Sequence, residues 1–188
     1  MNWDMGSLEL YIGPMFSGKS TMLIRKANIF KSIGKKVFAI NHSFDTRYAN
    51  KKIITHDKLS IDCIMISDLE TIMKNDEYRK AFLDSDIVCI EELQFFTSLQ
   101  FIKDAVEKYN KKVIATGLDG DYQRKAFPSI LEIIPFCDTV TKLQGFCKMC
   151  SDGTPGIFTK RIVKNDSTIL VGGSESYICV CRKHFSSS

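Results

Sequence analysis

The sequence predicts an α/β fold in which a parallel sheet carries helices on both faces, followed by a small C-terminal unit. Three observations predict it. A glycine-bounded loop stands between an apolar strand and a helix, short apolar runs alternate with helical stripes, and cysteines crowd toward the C-terminus.

The first strand is Leu8-Glu9-Leu10-Tyr11-Ile12, and Gly13-Pro14-Met15-Phe16-Ser17-Gly18-Lys19-Ser20 follows it. This loop fits G-x-x-x-x-G-K-[ST], in which two glycines let the backbone curl until successive N–H groups face a polyphosphate. Lys19 then reaches the β- and γ-phosphates, the Ser20 hydroxyl ligates Mg²⁺, and the helix opening here adds its positive end. The loop therefore reads as a nucleotide phosphate site, and its strand–loop–helix setting predicts a P-loop NTPase (RecA-like) sheet. Leu23, Ala27 and Phe30 stripe the helix that follows, and Gly34 is placed to end it.

Val37-Phe38-Ala39-Ile40 reads as a buried strand, and a polar stretch runs from Asn41 to Lys58. Residues 61–66 predict a further strand. Leu69, Ile72, Met73, Ala81 and Phe82 predict a helix interrupted near Asn75-Asp76. Ile87-Val88-Cys89-Ile90 is a fully apolar strand that ends on Glu91-Glu92. Leu99, Ile102, Ala105, Val106 and Tyr109 stripe the next helix, and Val113-Ile114-Ala115-Thr116 is the next strand. Continuous apolar strands alternating with helices mark a parallel sheet covered on both faces. Such sheets bind ligands beyond the carboxyl ends of their strands, where both the loop and Glu91-Glu92 fall. Periodicity fades after about Thr141, so residues 1–143 are expected to form the nucleotide-binding domain and 144–188 a second, smaller one.

Lys and Arg number 26 against 22 Asp and Glu, a formal charge of +4. The basic pairs are dispersed, and no basic tract argues for a nucleic-acid footprint. No apolar run approaches the ~18 residues of a bilayer span, so no membrane partner is expected. Met1-Asn2-Trp3-Asp4 lacks a basic n-region, which predicts a cytoplasmic, reducing location. Seven cysteines, four of them between Cys147 and Cys181, then point to metal before disulfide.

Three groups of residues could carry chemistry. The adjacent carboxylates of Glu91 and Glu92 point to opposite sides of a strand end, so one can hold Mg²⁺ while the other takes a proton from an acceptor. Cys147-x-x-Cys150 and Cys181-x-x-His184 supply four ligands at a spacing that suits a closed, structural Zn²⁺. Cys179 lacks the two-residue spacing to His184. Phe95, Phe96, Tyr122 and Phe127 lie just after predicted strands, where a base could stack, although aromatics at such spacing usually belong to the core.

With these residues collected, the chain resembles the zinc-containing thymidine kinase family. The resemblance rests on the phosphate loop, Asp45-Thr46-Arg47-Tyr48, Glu91-Glu92-Leu93-Gln94-Phe95-Phe96, the run from Leu118 to Phe127, Thr159-Lys160-Arg161, the stretch from Val171 to Tyr177 and the four metal ligands. It implies ATP-dependent phosphorylation of thymidine at the 5′-hydroxyl, with deoxyuridine as a further substrate. Lys19, Ser20, Asp45 and Arg47 would lie on the phosphate side, Glu91 would assist Mg²⁺, and Glu92 would be the base. Phe95, Leu118, Tyr122 and Phe127 would enclose the thymine. A lasso of Thr168, Ile169, Leu170, Val171, Gly172 and onward to Tyr177 would close over it. The family also implies a homotetramer inhibited by thymidine triphosphate. This chain has Glu91 where the family has Asp and Leu93 where it has Gly, which requires the backbone at Leu93 to avoid positive φ. A recombinase-type ATPase and a zinc-knuckle nucleic-acid binder share single features of this set but not the whole.

Overall fold

The computed structural model describes residues 5–45, 51–55, 59–164 and 172–186. Its centre is a six-stranded sheet built from β1 (Ser7–Gly13), β2 (Val37–His42), β5 (Ile64–Ile66), β6 (Ile87–Ile90), β7 (Lys112–Leu118) and β8 (Thr139–Lys142). All neighbours run parallel, in the order β5-β2-β6-β7-β1-β8. The RecA-like character lies in that order: β7 stands between the phosphate-loop strand β1 and the acid-bearing strand β6.

Both faces of the sheet are covered, as its apolar strands require. Successive strand residues alternate sides, so Leu8, Leu10, Val88 and Ile90 belong to one core and Tyr11, Ile87 and Cys89 to the other. Helix α1 (Lys19–Ser32) buries Leu23, Ile24, Ala27 and Phe30 on the second face. Helices α3 (Asp76–Asp84), α4 (Gln100–Glu107) and α5 (Pro128–Ile133) close the first face with Phe82, Ile102 and Ile130.

Two expectations resolve in more detail. The apolar run 61–66 is not one strand. Its first part is β4 (Ser60–Asp62), which pairs antiparallel with β3 (Lys52–Ile54) in a hairpin outside the main sheet. Only β5 joins the sheet edge. Asp62 explains the division, because it is exposed while Ile61 is buried, an alternation that a sheet covered on both faces does not accept. The helix expected around 69–82 is interrupted as the sequence indicated: α2 (Thr71–Lys74) stops at Asn75, whose extended backbone and side-chain oxygen, accepting from the Tyr78 N–H at 3.0 Å, start α3.

Beyond β8 the described residues make two short antiparallel ribbons, β9 (Gly145–Phe146) with β10 (Pro155–Gly156) and β11 (Phe158–Arg161) with β12 (Tyr177–Val180), followed by helix α6 (Arg182–Ser186). Among the described residues no helix is long and apolar enough to cross a membrane.

Candidate active site

The phosphate loop takes the shape its glycines permit. Gly13 has φ +152°, and a Cβ there would stand 2.5 Å from the Leu143 carbonyl oxygen. Gly18 has φ +81° with open space around it, so only its left-handed backbone demands glycine. The Lys19 ammonium donates to the Pro14 carbonyl at 2.8 Å, and the Met15 N–H donates to Thr159 Oγ1 on β11 at 2.9 Å. Helix α1 starts at Lys19, so its free N–H groups open toward the loop.

Strand β6 delivers the two carboxylates. Glu91 is 3% exposed and accepts from the Ser20 hydroxyl at 2.5 Å and from the Thr116 hydroxyl at 2.6 Å. Burial first, and the Glu92 carboxylate second, push its pKa up to about 7 against the pull of those two hydroxyls and Lys19. Glu92 adopts φ 55°, ψ 40°, a left-handed conformation that non-glycine residues seldom hold without surrounding constraint. Leu93 begins a 3₁₀ turn (Leu93–Phe95) and is fully buried, so it avoids positive φ as expected. Gln94 ties this turn down, donating to Glu92 Oε2 and accepting from the Leu118 N–H at 3.0 Å.

An aromatic wall continues from the carboxylates. Phe95 meets Phe127 edge-on at 6.5 Å and Phe44 at 5.9 Å. His42, buried at the end of β2, packs against Phe44 and Phe96 at 4.7 Å each, and burial lowers its pKa. Phe96 is 1% exposed and belongs to the core, whereas Phe95 and Phe127 are half-buried and face the cleft. The core reading of the aromatics thus holds for Phe96 alone among these three. The Arg161 guanidinium lies 3.7 Å from the Tyr122 ring centroid and donates to the Tyr177 hydroxyl at 2.9 Å.

One cleft gathers most of the expected residues. Met15, Phe16, Ser17, Gly18, Lys19 and Ser20 line one end with Asp45, Glu91 and Glu92. Phe95, Leu118, Tyr122, Phe127, Gly172 and Tyr177 line the remainder. Gly13 and Pro14 shape the loop from behind. Asp45 is buried and accepts from the Asn41 side chain at 3.0 Å. Arg47, Thr168, Ile169, Leu170 and Val171 lie outside the described residues. The thymidine kinase family profile matches residues 6–185. The chain belongs to the thymidine kinase family. It is 40% identical over 184 residues to thymidine kinase a of Arabidopsis thaliana, spanning 96% of this chain and 75% of that protein. It is 35% identical to the thymidine kinase of Rabbit fibroma virus (strain Kasza), with 95% of each chain covered. The cytosolic thymidine kinase of Gallus gallus is 34% identical over 94% of this chain and 75% of its own.

This member of the thymidine kinase family also brings its four C-terminal ligands together. The donor atoms of Cys147, Cys150, Cys181 and His184 lie within 4.8 Å of one another. His184 Nδ1 is 3.3–3.5 Å from each sulfur, and the Cys150 and Cys181 sulfurs are 3.8 Å apart. Tetrahedral bonds of roughly 2.1–2.3 Å to N and S would separate the ligands by about 3.6–3.8 Å, so the donor set fits one four-coordinate metal ion. Cys179 is buried and is not one of the four.

Several lining residues carry no sequence signal of their own. Phe44 and Ile53 reach the cleft from the polar stretch 41–58, whose short hairpin has no periodicity long enough to read, and Thr55, which begins the Thr55-His56-Asp57 run of the family resemblance, lines it beside them. Thr116 was legible only as part of a strand. Gln94 stood inside the quoted motif without a role.

Proposed function

We propose that this chain transfers the γ-phosphoryl group of ATP to the 5′-hydroxyl of thymidine, a nucleotide-salvage reaction, and that deoxyuridine is a second acceptor. The observation that carries the reading is the carboxylate pair: Glu91 is held against the phosphate loop by Ser20, while Glu92 lines the same cleft and is tied by Gln94 to the turn that carries Phe95. A phosphate donor and a planar acceptor would therefore meet at Glu92.

In this reading the N–H groups of Phe16–Ser20 and the Lys19 ammonium hold the ATP phosphates, with Gly13, Pro14 and Met15 shaping the loop and Asp45 and Arg47 on the same side. Mg²⁺ bound with ATP would offset the charge of the transferring group, and Ser20 and Glu91 are the residues that would hold it and its water. Glu92 takes the proton from the 5′-hydroxyl as that oxygen bonds to the γ-phosphorus. The bond from phosphorus to the β–γ bridging oxygen breaks, and ADP leaves. Positioning and charge stabilisation supply most of the acceleration. Phe95, Leu118, Tyr122 and Phe127 hold the base, and the segment from Thr168 through Ile169, Leu170, Val171 and Gly172 to Tyr177 closes over its edge. Hydrogen bonds to that polar edge would reject competitors better than shape alone.

The Cys147, Cys150, Cys181 and His184 set is assigned to structural Zn²⁺, since it leaves no protein-free coordination position. It would pin a unit spanning 144–188 that closes over the nucleoside bound to the nucleotide-binding domain 1–143. A cytoplasmic homotetramer, inhibited by thymidine triphosphate, completes the family-based reading. The test is phosphate transfer from ATP-Mg²⁺ to thymidine, deoxyuridine, deoxycytidine and deoxyguanosine, with an acceptor-free control. Monophosphates of thymidine and deoxyuridine alone are expected. Hydrolysis indifferent to every nucleoside would overturn the reading.

A further inference from the structure

The segment 119–127 carries Tyr122 and Phe127, two walls of the cleft, yet it is a loop. It is closed on itself by Asp121, whose carboxylate accepts from the Gln123 and Lys125 N–H groups at 2.8 Å each. The Asp121 N–H donates to the Lys125 carbonyl at 2.9 Å. Arg124 sits at the turn with φ 67°. These bonds shape the turn but do not attach it to the body. At the root of the loop, Asp119 pairs with Lys142 at 2.7 Å. The tip is attached differently.

The Arg124 guanidinium lies 4.5 Å from the Phe185 ring centroid on α6 and 5.4 Å from that of Phe158 on β11. The two rings are 5.1 Å apart and tilted by 56°, and Arg182 covers Phe158 at 5.0 Å. Helix α6 also carries His184, and Cys181 immediately precedes it. Lys160 on β11 donates to the His184 carbonyl at 2.8 Å. On the opposite side of the loop, Tyr122 lies under Arg161 of the same β11. The loop tip is thus gripped by the element that the Cys/His cluster fixes. A guanidinium suits that grip because its plane can lie against aromatic faces, which an ammonium cannot do.

We infer that Arg124 is a positioning residue: packed against both Phe158 and Phe185, it couples the Cys/His-anchored helix α6 to the nucleoside-facing side chains Tyr122 and Phe127. The inference rests on the thymidine kinase reading of the cleft. The phosphate loop meets β11 through Thr159, which accepts from the Met15 N–H, and not through Arg124, Phe158 or Phe185, so loss of the Arg124 contact should act on the acceptor and leave ATP alone.

The experiment is a double-mutant cycle with Arg124→Met, Phe185→Leu and the pair, plus Arg124→Lys, read as KM for thymidine, KM for ATP, kcat and thermal midpoint. Two exposed cation–π contacts predict that Arg124→Met raises the thymidine KM about five- to thirtyfold. The ATP KM and kcat should stay within about twofold of wild type. Arg124→Lys should recover part of the loss, and Phe185→Leu should raise the same KM. The double variant should be no worse than Arg124→Met alone, because Phe185 reaches the loop only through Arg124 in this coupling. A thymidine KM within about twofold of wild type in Arg124→Met, effects that multiply, or equal losses for both substrates with a lowered thermal midpoint would each overturn the coupling. Wild type in the same assay separates the two failures. An inactive wild type would sink the kinase reading, whereas an active one with an indifferent Arg124→Met would sink only the coupling.

Discussion

Replacing Glu91 with Gln should change how the stability of this protein depends on pH. In the folded chain the Glu91 carboxyl titrates near 7, against 4.5 for an ordinary glutamate, because it is buried and lies beside Glu92. Between those values the folded state binds a proton that the unfolded state has released. Stability therefore falls as pH rises through that window: the Glu91 contribution is fully present below about pH 4.5 and lost above about pH 7. At about 1.4 kcal/mol for each pH unit of separation, the full swing is about 3 kcal/mol. Some 2.5 kcal/mol of it, roughly, falls between about pH 5 and pH 8.5. Glutamine has the same length and no charge to lose, and the titrating groups that do not interact with Glu91 are common to both proteins and cancel in the difference. Urea unfolding of wild type and Glu91→Gln, without nucleotide or Mg²⁺, should show the difference moving in favour of Glu91→Gln by about that amount as pH rises. A difference that stays constant within about 0.5 kcal/mol over this range would refute the reasoning, and with it the view that Glu91 is ionised at a cost.

Glu92→Gln should remove most turnover while leaving the ATP dissociation constant within about threefold, since the phosphate loop is untouched; an active variant would exclude Glu92 as the base. Gly13→Ala should lower both the thermal midpoint and ATP affinity, because its Cβ meets the Leu143 carbonyl at 2.5 Å, whereas Gly18→Ala, with open space around it, should lose only about 1–2 kcal/mol of backbone fit. Phe82→Ala should cost about 3–5 kcal/mol in denaturant unfolding, since Phe82 is fully buried against Phe38 and Phe101. Chelation should selectively raise amide exchange in β9, β10 and α6 and spare β1, β6 and β7, a pattern visible by hydrogen exchange with peptide resolution.

What was legible in the sequence had either a long period or a short fixed spacing. The apolar strands β1, β2, β6 and β7 and the stripes on α1 and α4 are continuous enough to read, and each lies where expected. The phosphate loop and the Cys147-x-x-Cys150 and Cys181-x-x-His184 pairs are defined by spacing and needed no periodicity. The residues that escaped are those whose meaning is set by a partner far along the chain. Phe44 becomes part of the cleft only because β2 and β6 are neighbours, which brings it against Phe95. Hairpin β3–β4 has three residues per strand, too few for a period of two to declare itself. Of the aromatics, Phe95 and Phe96 are adjacent and of one type. Only the turn after Glu92 decides that one enters the core and the other faces the cleft.

Sheet register explains why Glu91 and Thr116 meet. Strands β6 and β7 pair with Ile90 opposite Ala115, so Glu91 and Thr116 leave the sheet at the same level. Strand β7 pairs on its other side with β1, Tyr11 opposite Thr116 and Gly13 opposite Leu118, which brings the start of the phosphate loop to the same edge. The inserted strand therefore does more than separate β1 from β6. It supplies a hydroxyl that takes one Glu91 oxygen while Ser20, from the start of α1, takes the other. A carboxylate held at both oxygens cannot swing, so the longer side chain at position 91 is fixed where a shorter one would need a different partner. Because side chains alternate along a strand, a slip of one residue in β7 would turn Thr116 to the other face and bring a glycine or an alanine level with Glu91. The polar geometry of the site is thus specified by the apolar residues that set the β6–β7 register, Val88 and Ile90 against Val113 and Ala115.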